Sequence, residues 1–115
     1  VKGTSDRKEV RIMEWDSSDQ RDYRVVTIGE WRSVENHQDL EPRTGVYIFA
    51  DAGLRVKYIG KAGAGGMVDE VADAIRRDKA YQATRVKALY TNSYKNAQSL
   101  EAGLIDKYDP PNNRS

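Results

Sequence analysis

The pattern of apolar and polar positions is sharpest between Gly45 and Gly60, where two short β-rich runs bracket a polar turn in GVYIFADAGLRVKYIG. GVYIF and RVKYIG are rich in β-branched and aromatic residues, and ADAGL between them supplies a turn with Gly53 free to take positive φ. Two strands this close in sequence pair antiparallel. KAGAGG then reads as a glycine-rich loop, Met67–Lys79 as a helix, Thr84–Thr91 as a third strand and Ala97–Tyr108 as a second helix ended by Pro110 and Pro111. The order β-β-α-β-α predicts a small α/β fold on a three-stranded antiparallel sheet flanked by helices. This unit is expected to span residues 40–115.

Residues 1–39 are expected to form an N-terminal extension. A short strand around Val10–Trp15 fits its pattern, and YRVVTIGEW suits a strand leading into a short helix. Ser33–Thr44 reads as a helix end and an extended approach, with Pro42 breaking any helix. There is no internal repeat.

The helices raise the first chemical question. At about 100° per residue, Leu100, Leu104, Ile105 and Tyr108 share one arc with Ala97, and Glu101 falls inside it. A carboxylate within an apolar stripe is costly unless it is paired or binds a cation. Glu101 is therefore either a functional carboxylate or the acid of a structural ion pair. In the first helix Val68, Val71, Ala72 and Ile75 share a face. Arg76 lies at its edge, able to reach the sheet surface or to rest its stem on the core. Arg77 points to the opposite side, toward solvent.

Composition narrows the chemistry. The 115 residues contain no cysteine and one histidine, His37, which excludes disulfides, cysteine-ligated zinc and multi-histidine metal sites. Net charge is +1, but residues 45–115 carry 11 Lys/Arg against 8 Asp/Glu, and residues 1–44 carry 8 against 10. The basic second part permits a phosphate-binding surface. No apolar run approaches the roughly 18 residues of a membrane span. No membrane role is expected, and cytoplasmic, nucleoid or nuclear placement is. The glycine-rich loop lacks the GK[ST] ending of a nucleotide-binding loop. Trp15 and Trp31 read as packing residues that can also stack on a base, and His37 as a surface residue.

GVY, ten residues, then YIG resembles the signature of the GIY-YIG nucleases, and SLEAGLIDKYDPPNN resembles the C-terminal part of the same family. The resemblance runs from about Leu40 to Arg114. It implies a metal-dependent endonuclease that hydrolyses phosphodiester bonds in DNA, with Mg²⁺ or Mn²⁺, no other small-molecule cofactor, and RNA as the less expected substrate. Tyr47 then matches the tyrosine that acts as or assists the general base. Tyr58 matches the one that positions the attacking water and a phosphate oxygen. Glu101 matches the metal-binding glutamate and Asn113 the supporting asparagine, with Asn112 as its neighbouring alternative. Gly45 and Gly60 are the motif glycines. Lys61, Arg77 and Lys57 are the candidate nucleic-acid contacts.

The sequence departs from the family at the arginine of the first helix, where counting from Gly60 leads to Val68. Arg76 is the expected substitute and Arg77 the second. That gap keeps an alternative open, a nucleic-acid-binding module of the same fold with weak or absent catalysis. A further alternative is a protein-interaction domain docking through its acidic N-terminal part. No recognition helix, zinc finger or other targeting module is apparent, and an additional domain or partner protein is the expected source of specificity.

Overall fold

A computed structural model describes residues 12–114. Five strands form one antiparallel sheet: β1 (Val25–Ile28), β2 (Arg32–Ser33), β3 (Gly45–Ala50), β4 (Val56–Ala62) and β5 (Arg85–Thr91). The spatial order is β1-β5-β3-β4, with β2 also on β5 beyond the end of β1. The helices are α1 (Met67–Arg76) and α2 (Tyr94–Tyr108), and short 3₁₀ turns cover Ser17–Arg21, Val34–Asp39 and Pro111–Asn113. Among the described residues no helix is long and apolar enough to cross a membrane.

The expected three-stranded sheet is thus a five-stranded one. β3, β4 and β5 are its predicted core, and the N-terminal stretch adds β1 and β2 to the far side of β5. YRVVTIGEW gives a strand, but β2 follows it where a short helix was expected. Of the predicted strand around Val10–Trp15, residues 10 and 11 lie outside the described residues. The rest contributes one bridge, Glu14 to Arg55 at the start of β4.

All six residues of β3 are buried, because both faces of this central strand are covered. Val46, Ile48, Ile59 and Leu89 pack under α2 on one face; Tyr47, Phe49, Val86 and Ala88 pack under α1 on the other. Gly45 is required by the sheet itself: a Cβ there would strike the Leu89 carbonyl and lie 2.9 Å from Tyr90 Cα. In the β3–β4 turn positive φ falls at Leu54 and not at Gly53. Asp51 Oδ1 accepts from the backbone N–H groups of both Gly53 and Arg55, and this loop within the turn moves the left-handed residue one position on.

α1 stops at Arg76, three residues short of the prediction, because Asp78 turns left-handed. α2 begins three residues early, because the Ser93 side chain accepts from Asn96 N–H as an N-cap. At its other end Tyr108 stacks on Trp15 at 5.4 Å, and Trp15 meets Trp31 edge-on at 6.4 Å. Both tryptophans are packing residues. The Tyr108 hydroxyl donates to Asp19 and accepts from Asp16 N–H at 2.9 Å, tying the N-terminal stretch to α2. Burial first, then the bond to Asp19, pushes this phenol far above its ordinary pKa. Tyr108→Phe should therefore lower unfolding free energy by about 1–3 kcal/mol, read as a lower urea midpoint at unchanged m-value.

Candidate active site

Period-two geometry puts Tyr47 and Tyr58 on the same face of neighbouring strands. Tyr47 stands opposite Gly60, and Tyr58 opposite Phe49. The two tyrosines are diagonal neighbours with ring centroids 6.1 Å apart, and Phe49 packs against both at 5.5 and 6.0 Å. Tyr47 is buried and lies across Gly60. A Cβ on Gly60 would collide with Cζ and Oη of that ring and sit 2.8 Å from Cε1. The motif glycine is the space the first tyrosine occupies.

Burial, more than any neighbouring charge, pushes the Tyr47 phenol well above its usual pKa. Tyr58, Glu70 and Glu101 push the same way, and Arg77 pulls it down. Tyr47 is therefore protonated in the resting protein, a hydrogen-bond donor rather than a ready base.

α1 brings one arginine toward this pair, and it is Arg77. Met67, Val71 and Ala74 are the buried residues of the helix, so its inward face is centred some 80° from the Val68–Ala72 centre expected from the sequence. That rotation exchanges the two arginines. Arg76 points away from the sheet and pairs with Asp73 at 2.8 Å. Arg77 pairs with the other oxygen of Asp73 at 2.9 Å and interacts with Tyr58. Its guanidinium pKa is raised, chiefly by the Asp73 hydrogen bond and less by Tyr58. Lys79, just beyond the helix, holds its Nζ 5.8 Å from the Tyr58 ring centroid. Sequence reasoning missed Lys79, since nothing in the pattern marks the turn that carries it.

On α2, Glu101 is mostly buried with a side chain 16% exposed, and its Oε1 lies 3.3 Å from Lys61 Nζ. Burial pulls the Lys61 ammonium down, but the Glu101 charge and hydrogen bond, helped by Tyr94 and Tyr58, carry it above the usual lysine value. Lys61 stands opposite Val46 on the α2 face, and Gly60 opposite Tyr47 on the α1 face. β4 ends the order of strands, and across it Glu101, from the α2 face, is near enough to raise the Tyr47 phenol on the α1 face.

Asn113 closes that edge as a strand would. Its Oδ1 accepts from Ile59 N–H and its Nδ2 donates to the Ile59 carbonyl, each at 2.9 Å. Ile59 lies between Tyr58 and Gly60, so Asn113 fixes the backbone of the second motif. Asn112 instead donates to the carbonyls of Lys79 and Tyr81. Lys57 does not join the site. It is the extra residue of a β-bulge between Val56 and Tyr58 and is buried, so it is not presented to a phosphate backbone. His37 Nδ1 sits 3.0 Å from the Val34 carbonyl within its own 3₁₀ turn.

Among the described residues no three His, Cys, Asp or Glu side chains cluster. Glu101 is a side chain that could hold a divalent cation, with water completing its shell. The donor set fits a hard ion that keeps its waters. Glu101 already holds one cation, the Lys61 ammonium, whose side chain is 29% exposed and free to yield the place.

No protein-family model and no curated protein matches this sequence. Solved structures do match. One is the GIY-YIG N-terminal endonuclease domain of UvrC from Thermotoga maritima, bound to its catalytic divalent cation, magnesium. It is 25% identical, with a TM-score of 0.58 over 68% of this chain and 91% of that one. An asparagine-to-alanine point mutant of that domain, also bound to its catalytic divalent cation, matches at the same identity and TM-score over 68% of this chain and 90% of its own. The chain has a GIY-YIG-like fold, and the likeness supports a place among the nucleases of that superfamily.

Proposed function

We propose that this GIY-YIG-like chain is a metal-dependent endonuclease that hydrolyses phosphodiester bonds in DNA at the outer edge of β4. The observation that carries the reading is the convergence there of Tyr47, Tyr58, Arg77, Lys61 and Glu101 from two strands and two helices. Water attacks phosphorus opposite the leaving ester oxygen and loses a proton to solvent by way of the tyrosine hydroxyls, that P–O bond breaks, and the departing oxygen takes a proton from a solvent water. Tyr58 and Tyr47 orient the water through their hydroxyls. Arg77, whose side chain is half-exposed at the edge of α1, meets the charge that builds on a non-bridging oxygen. Lys61 moves from Glu101 to the phosphate backbone. Tyr47 yields its proton only when positive charge beside it lowers its pKa, the direction in which Arg77 already acts. A divalent ion bound at Glu101 supplies Lewis-acid stabilisation of the phosphate and leaving oxygens.

The test is nicking of supercoiled plasmid with Mg²⁺, beside EDTA. Nicking in Mg²⁺ that EDTA abolishes is the expected result. Salt-sensitive DNA binding without turnover on any substrate would instead identify a binding module of this fold. The arginine assignment has its own expected outcome. Arg77→Gln should slow cleavage about a hundredfold, as removal of one transition-state donor does. Arg76→Gln, on the solvent side of α1, should stay within about twofold. Equal losses from the two would remove Arg77 from the site.

A further inference from the structure

The chemistry above leaves two features at the rim of the site unused. The first is the turn between α1 and β5. Asp78 and Gln82 both have left-handed backbone there, with φ of 65° and 62°. A side-chain-bearing residue in that region costs of order 1 kcal/mol and persists only where its surroundings impose it. Between them, the Asn112 carboxamide donates to the carbonyls of Lys79 and Tyr81 at 2.9 Å each. Three residues are thus held from both ends and from the side. They present Lys79 over the Tyr58 ring, and they present Tyr81, which is 57% exposed.

The second feature is Tyr94, 46% exposed at the start of α2. Its ring lies against Gly63, two residues beyond Lys61, within 3.6 Å of where a Cβ there would stand. It precedes Glu101 by seven residues, which is two turns and roughly 10 Å along the same face of α2. A lone exposed tyrosine needs no explanation. Here two flank a site that also carries Lys61, Arg77 and Lys79, and one of them sits on a turn that is strained and latched. Aromatic rings beside cations are what an unpaired strand requires: a π-face for each base and charge for each phosphate. In an uninterrupted duplex the base faces are covered by their neighbours, and such rings would have nothing to stack on.

We infer that Tyr81 and Tyr94 are stacking platforms, and that the DNA this site takes has unpaired bases beside the scissile phosphate, as in a single strand or at a fork. The inference rests on the nuclease reading of the site. It is tested without catalysis, by fluorescence anisotropy in EDTA with labelled single-stranded, forked and blunt duplex oligonucleotides of one sequence. The wild-type chain should bind the single-stranded and forked probes at least about tenfold more tightly than the duplex. Tyr81→Ala and Tyr94→Ala should each weaken that binding about tenfold and leave duplex binding unchanged, while Tyr81→Phe and Tyr94→Phe retain it. Equal affinity for all three probes, or alanine variants within twofold of wild type, overturns the inference; plasmid nicking in Mg²⁺ would then still uphold the nuclease reading. No binding to any probe at low salt overturns both.

Discussion

Glu101→Gln is expected to cut metal-dependent cleavage by about a hundredfold to a thousandfold while the protein stays folded. The substitution keeps the shape of the side chain and removes its charge. Glu101 is the carboxylate that pairs with Lys61 on β4, and no three acidic or histidine side chains cluster anywhere among the described residues to take its place. The loss should therefore be in turnover and in metal dependence, with DNA binding at low salt preserved. Stability should change little. The Lys61 partner is part-exposed and can turn to water once the acid is gone, so no charge is left stranded in the core. Single-turnover kinetics across a Mg²⁺ series, with circular dichroism as the folding control, reads both halves of the expectation. A variant that cleaves at the wild-type rate would remove Glu101 from the chemistry.

Gly60→Ala should be nearly as damaging, through a different route. The added methyl meets the end of the Tyr47 ring, and neither partner has room to yield: Tyr47 is buried and packed against Phe49 and Tyr58, and Gly60 is fixed in the β3–β4 ladder. Overpacking of this kind costs about 1–3 kcal/mol. Displacing a site tyrosine by about an ångström costs about a hundredfold in rate. The cause can be isolated by a second substitution. Tyr47→Leu removes the colliding ring atoms, so in that background Gly60→Ala should cost much less stability than it does alone. Additive costs in urea denaturation would show that the glycine serves something other than the ring.

How far the sequence alone discloses this site depends on how regular each element is. Strand alternation places Tyr47 and Tyr58 on one face of the β3–β4 pair without further help. Helical periodicity places Glu101 at the inner side of α2, where a lysine partner was one of its two readings and is the contact seen. The arginine is misplaced because α1 offers two overlapping apolar arcs. Val68, Val71, Ala72 and Ile75 look like the buried face, but Met67, Val71 and Ala74 are the residues with no exposure, and the difference in rotation brings Arg77 to the edge of that face in place of Arg76. Lys57, a candidate contact by position, is the buried extra residue of a bulge, which no local pattern discloses. β1 and β2 are short and only half-buried, and their place beside β5 is a long-range pairing that no local pattern encodes. The Asp78–Gln82 turn is invisible for the same reason, since the Asn112 side chain that holds it comes from some thirty residues away.

The most direct test of the site is single-turnover cleavage of a 5′-labelled forked oligonucleotide and a plasmid by wild type, Glu101→Gln and Arg77→Gln, run side by side in Mg²⁺. Wild type is expected to cleave both, EDTA to stop it, and the rate to fall about a hundredfold or more in either variant. Cleavage that persists at the wild-type rate in both variants, or a folded wild-type chain that cuts neither substrate, would contradict the assignment of this site.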